Sequence, residues 1–195
     1  MEDQQGRKNP GADGEKNLYT MDQIEEHLRT KHRQDVGYLI SLLKSPYQLD
    51  REKSSDYLGE IGDPEAVPAL IEALADPTIS WLAAESLGKI GDPRAVEPLI
   101  GVLSSPEKWL RRNAAEALGK IGDTRAVVSL LPLLQDKKHD VREITSRALG
   151  ILGDTTAVPA LEALQNDPDP KVREAAARSV RQIREHQEPI PAGQG

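Results

Sequence analysis

The residues Gly88-Lys89-Ile90-Gly91 place two glycines around a lysine, the residue types that cradle phosphate in a nucleotide loop. Such a loop needs a strand before it and Gly-Lys-Ser/Thr opening a helix after it. Neither accompanies this stretch, and the surrounding "LGKIGD" returns at 118–123. The four histidines, His27, His32, His139 and His186, are scattered and lack the i, i+4 spacing of a helical metal pair, so no metal or other cofactor is expected. Without cysteine there is no thiolate ligand, disulfide or cysteine nucleophile. No Gly-x-Ser-x-Gly elbow supports a serine triad. Glu85 and Glu116 could pair for acid–base work, but they recur one repeat apart, as a solvated ridge does. No catalytic residue is assigned, and a non-enzyme is expected.

The elements explain the glycines better. Gly-Asp pairs stand at 62–63, 91–92, 122–123 and 153–154, and valines 36, 67, 96, 127 and 158 keep nearly the same step. A period near 30 marks a solenoid of helix pairs. The first helix of each unit is typified by Val96, Leu99, Ile100 and Leu103, one apolar stripe at i, i+3, i+4, i+7. The second is typified by Leu110, Ala114, Ala117, Leu118 and Ile121, whose alanines allow close approach. Gly91 then ends a helix in a left-handed turn, Asp92 caps the next one, and Pro93 takes its first position. Gly88, inside the last turn, permits tight packing. Pro68, Pro98 and Pro159 predict a 3₁₀ first turn or a kink, and Pro132 a sharper bend. The second unit is two residues short between its helices, which predicts a tighter turn.

Composition narrows the partners. The 195 residues include no Phe and only six aromatics, and the net charge of −7 argues against nucleic acid and anionic membranes as partners. No apolar run is long enough to span a bilayer, and the polar N-terminus has no signal-peptide core. A cytoplasmic monomer is expected.

The run Leu110-Arg111-Arg112-Asn113-Ala114-Ala115-Glu116-Ala117-Leu118-Gly119-Lys120-Ile121-Gly122-Asp123 resembles the HEAT-like repeats of the phycobilisome-lyase type, as do its counterparts over about residues 35–184. The resemblance implies an all-α, right-handed α-solenoid of about five helix pairs with an N-terminal capping helix. Residues 1–18 read as a disordered arm, 19–34 as the capping helix opened by Thr20 and Gln23, 35–185 as the repeat domain and 186–195 as a flexible tail. In that family type the second helices line the concave face. The resemblance therefore places Trp81, Leu82, Glu85, Arg112, Asn113, Glu116, Glu143, Ile144, Arg147 and Ile151 on a partner-binding surface. It also implies an inter-repeat ladder of Asp63, Asp92, Asp123 and Asp154 with Arg111, Arg142 and Arg173. Trp81 either anchors a partner or fills the space left by the shortened turn, and Trp109 is expected to staple its turn. HEAT-like deoxyhypusine hydroxylase uses repeated His-Glu pairs, which the repeats here lack. The functional expectation is a protein-binding scaffold. Its alternative, also from the resemblance, is an accessory or catalytic subunit of a bilin lyase acting on phycobiliproteins.

Overall fold

The computed structural model describes residues 36–186. The arm, the capping helix with its Thr20–Gln23 box, and the tail beyond His186 lie outside the described residues. Within them every regular element is helical, and the helices come in five pairs. The short first helices are α1 (Val36–Leu42), α3 (Val67–Ala73), α5 (Val96–Gly101), α7 (Val127–Leu130) and α9 (Val158–Ala163). The long second helices are α2 (Gln48–Ile61), α4 (Ser80–Ile90), α6 (Lys108–Ile121), α8 (His139–Leu152) and α10 (Pro170–Glu185). None of these helices is long and apolar enough to cross a membrane.

The long helices stack on one another in chain order, while each short helix packs chiefly on its own long partner. The core lies between the two layers. Leu70, Leu87, Leu99, Leu118, Leu130, Leu149, Leu161 and Ile183 are wholly buried there. Burying one such side chain contributes about 1.5–3 kcal/mol. That burial, repeated along the stack, offsets the weak nucleation of these short helices.

The boundary chemistry recurs. Gly122 closes α6 at φ +79°, and its N–H returns to the Leu118 carbonyl. Asp123 then accepts from the Arg125 N–H at 3.0 Å, which caps the next turn. The same cap is built by Asp63, Asp92 and Asp154. Each leads into a three-residue 3₁₀ turn before the short α-helix, so Pro68, Pro98 and Pro159 fall within the first turns of helices that need no N–H from them. At Pro132 the proline lies too far inside. There α7 stops after four residues and the chain continues as a 3₁₀ stretch, Leu131–Gln135. The tighter turn of the second unit is formed by Ile79 and Ser80, whose N–H groups both donate to the Asp76 carbonyl. It shortens α4 to 11 residues, against 14 in α6.

Candidate protein-binding face

Lys89, the lysine of the apparent phosphate loop, lies 3.0 Å from Asp56 and 3.1 Å from Glu85. Burial alone would lower its pKa, but the two carboxylates outweigh that and hold it above the ordinary lysine value. Gly88 shows why the motif exists. A Cβ there would sit 2.7 Å from the Ala117 Cα of the next long helix. Gly59, Gly119 and Gly150 meet Ser86, Ala148 and Ser179 in the same way, at 2.5 to 2.9 Å for an added Cβ. The glycines are contact points between repeats.

The helix arginines do form a ladder, but with other aspartates than those expected. Arg111 Nε and Nη2 donate to Asp136 at 2.7 and 3.0 Å, and Arg142 donates likewise to Asp167 at 2.7 and 2.8 Å. Arg51 Nε lies 2.9 Å from Asp76. Each arginine also grips its own preceding loop through Nη1. The acceptors are the carbonyls of Ser45, Ser105, Asp136 and, for Arg173, Asp167. The expected partners Asp63, Asp92, Asp123 and Asp154 are helix caps instead, because they sit at the far end of the long helix from the arginine. Asp92 and Asp123 also hold Arg94 and Arg125 of their own turns.

The clamp acceptors were missed, although the sequence carries a signal for them. Arg51/Asp76, Arg111/Asp136 and Arg142/Asp167 are all 25 residues apart. At that same offset Ser80 in place of Arg is matched by Ser105 in place of Asp. Both partners are absent together. Arg142 holds the Asp167 carboxyl below the usual range by hydrogen bonding, which exceeds the opposing effect of burial. At Asp136 burial pushes upward, but bonds from Arg111 and the Lys138 N–H bring the carboxyl below its ordinary value.

The expected binding residues divide into four groups. Trp81 and Leu82 open α4, and Trp81 is 38% exposed with Leu82 half-buried. Glu85, Arg112, Glu116 and Arg147 are surface charges in i, i+4 pairs: Arg112 and Lys120 both bridge Glu116, and Arg147 bridges Glu143. Asn113 and Ile144 are corrected. Both are buried, at 5% and 9%, because their position turns toward the preceding long helix rather than outward. Asn113 Nδ2 donates 3.0 Å to the Trp81 carbonyl and so ties α6 to the first turn of α4. This bond lies at the junction where the arginine clamp is missing.

Ile151 is 57% exposed in the last turn of α8, two long helices away from Trp81 and at the opposite end, so the two do not form one patch. Glu143 and Arg147 line an open charged groove of about 250 Å³ with Lys171, Glu174, Ala175 and Arg178 of α10. Trp109 is half-exposed, with the Lys108 ammonium 4.2 Å from its ring centre, and is not the expected staple. Among the described residues no cluster of three or more His, Asp or Glu is arranged to hold a metal.

Solved structures share this architecture. A chain of the complex of CpcE and CpcF of phycocyanin lyase from Nostoc sp. PCC7120 is 29% identical, with a TM-score of 0.71 over 77% of this chain. The match spans 65% of that chain, less than two thirds of its length. An engineered protein is 20% identical with a TM-score of 0.61, covering 84% of this chain and 86% of its own. A computationally designed armadillo repeat protein for modular peptide recognition is 19% identical with a TM-score of 0.58, covering 83% and 86%. No curated protein matches in sequence. The profile of the HEAT repeats matches residues 36–109 and 96–181, which together take in every repeat boundary described above. The chain belongs to the HEAT-repeat family.

Proposed function

We propose that this protein is a non-catalytic scaffold whose stacked long helices present a concave face to a protein partner, with Trp81 as the anchor. The observation that carries the reading is the exposed indole at the head of α4, its backbone braced by Asn113. Around it the surface charges are already satisfied by one another, as at Glu85–Lys89 and Arg112–Glu116. An aromatic residue ringed by paired polar groups is the composition of an interface hot spot. Its backbone bond to a buried asparagine reduces the ordering cost of docking.

The test uses the partner captured from the native cell. Trp81→Ala should weaken that partner in titration calorimetry by about 2 kcal/mol or more, the threshold of a hot spot. Glu116→Lys should change the association rate and its salt dependence more than the stability. Unchanged affinity in both variants overturns the assignment of this face.

A second reading is a subunit of a bilin lyase acting on a phycobiliprotein. It is favoured by the 29% identity to a chain of the phycocyanin lyase complex. Absorbance on mixing with a linear tetrapyrrole separates the two: a shifted, saturable band supports the lyase reading, and an unchanged spectrum supports the scaffold.

A further inference from the structure

α10 repeats the arginine clamp, and among the described residues half of it is unfilled. Arg173 Nη1 donates to the carbonyls of Asp167 and Pro168 at 2.7 and 3.1 Å. Arg111 makes the same two bonds, to Ser105 and Pro106, at 2.8 and 3.0 Å. In Arg111 this grip turns the Nε–Nη2 edge toward the next loop, where the Asp136 carboxylate closes it in bidentate fashion. Arg142 is filled in the same way by Asp167. Among the described residues no carboxylate reaches the corresponding edge of Arg173. The guanidinium is held in a receiving geometry that the molecule itself fills at other junctions.

The same face of α10 differs from its counterparts in α6 and α8. Its counterparts to Ala177 are Ala115 and Ser146, which are buried beneath the next long helix, whereas Ala177 is exposed. Arg181 occupies the position of Gly150, where even a Cβ would sit 2.5 Å from the neighbouring Ser179. A further repeat at this spacing would collide with Arg181. Arg173 and Arg181 are eight residues apart, about 12 Å along a helix. They are unlike Arg178 and Arg184, which pair with Glu174 and Glu162.

The geometry points to the open face of α10 as a docking site for an acidic loop of a partner protein, with an Asp or Glu carboxylate seated on the Nε–Nη2 edge of Arg173. A second acidic side chain, about four residues away in an extended segment, reaches Arg181. The positive charge of Arg173 and Arg181, without an acidic partner among the described residues, selects an acidic segment over a basic one on a chain of net charge −7. The site is separate from the face around Trp81 and does not depend on it.

The probe is the loop that fills Arg142, supplied in trans: the capped peptide Gln-Asn-Asp-Pro-Asp-Pro-Lys, a copy of residues 165–171. It is titrated into the ¹⁵N-labelled full chain while the arginine Nε–Hε resonances are followed. The expected result is a saturable shift at Arg173 and none at Arg111 or Arg142; the two aspartates of this peptide lie too close together to reach Arg181 as well. A peptide with both aspartates changed to asparagine should bind at least about tenfold more weakly. Arg173→Lys keeps the charge but not the fork, and should remove saturation in protein whose amide spectrum shows it to be folded. Equal, non-saturating shifts from both peptides would overturn the proposal. So would an Arg173 Nε–Hε already shielded in the free chain and exposed by Glu188→Gln, because the fork would then be filled from within.

Discussion

Gly119 and Gly122 stand three residues apart at the end of α6 and are constrained for different reasons. Gly122 has open space around it but holds φ at +79°. Gly122→Val should therefore cost on the order of 1–3 kcal/mol of backbone strain, while Gly122→Asn is largely tolerated. Gly119 has an ordinary helical backbone, but an added Cβ would sit 2.9 Å from the Ala148 Cα. Gly119→Asn should be as damaging as Gly119→Val, because both collide with backbone. Urea denaturation of the four variants separates the two causes. Lys89→Ala should leave the fold intact, and ATP should give no thermal protection. The punctuation role of these glycines was legible in the sequence, since a turn signal that recurs with every period describes architecture. The inward direction of Asn113 and Ile144 was not. It depends on how far each long helix is rotated against the one before, and the repeat pattern does not state that angle.

The arginine clamp belongs to the element scale, because it joins one inter-helix loop to the next. Replacing Arg142 and Asp167 by alanine, singly and together, should give a coupling energy of roughly 1.5–3 kcal/mol, the range for hydrogen bonds to charged groups. The same cycle between Arg142 and Asp154 should give a coupling near zero. Acid should act through the same loops. Asp136 and Asp167 have lowered carboxyl pKa values in the folded chain. Their contribution is thus fully present above the unfolded aspartate value of about 3.9 and is lost as pH falls through the lower folded values. Urea midpoints measured downward from about pH 6 should fall below about pH 4, and less steeply in Asp167→Asn. Ser80 stands in the sequence where the other repeats carry arginine, but the most regular aspartates there are Asp63, Asp92, Asp123 and Asp154. Regularity pointed to the caps, and only a fixed 25-residue offset identifies the clamp.

At the scale of the whole molecule each long helix interior to the stack is covered on both sides by described helices, and α10 on one. In an array held by nearest-neighbour contacts, protection follows position. Native-state hydrogen exchange should be slowest in α6 and faster in α10, whose open face exposes Ala177 and Arg181. Equal protection along the described helices would show that the stack opens only as one unit. The helix pairs, their boundaries and the polar last helix could all be read from periodicity. The docking geometry at Arg173 could not, because it appears only when the grip on the Asp167 carbonyl is seen to copy that of Arg111.

Gene duplication would treat these repeats unequally. Splicing a second copy of residues 123–153 after Gly153 sets Arg142 against a copied Asp136, the copied Arg142 against Asp167, and each glycine against a small residue. Every joint in the lengthened chain then keeps an Arg–Asp clamp and a glycine set against a small residue. Copying residues 92–122 after Gly122 instead sets Arg111 against a copied Ser105, stranding a guanidinium that is now buried with its aspartate. Growth by tandem copying thus preserves the clamp chemistry at one place and breaks it one repeat earlier, and the melting temperatures of the two lengthened chains should differ accordingly.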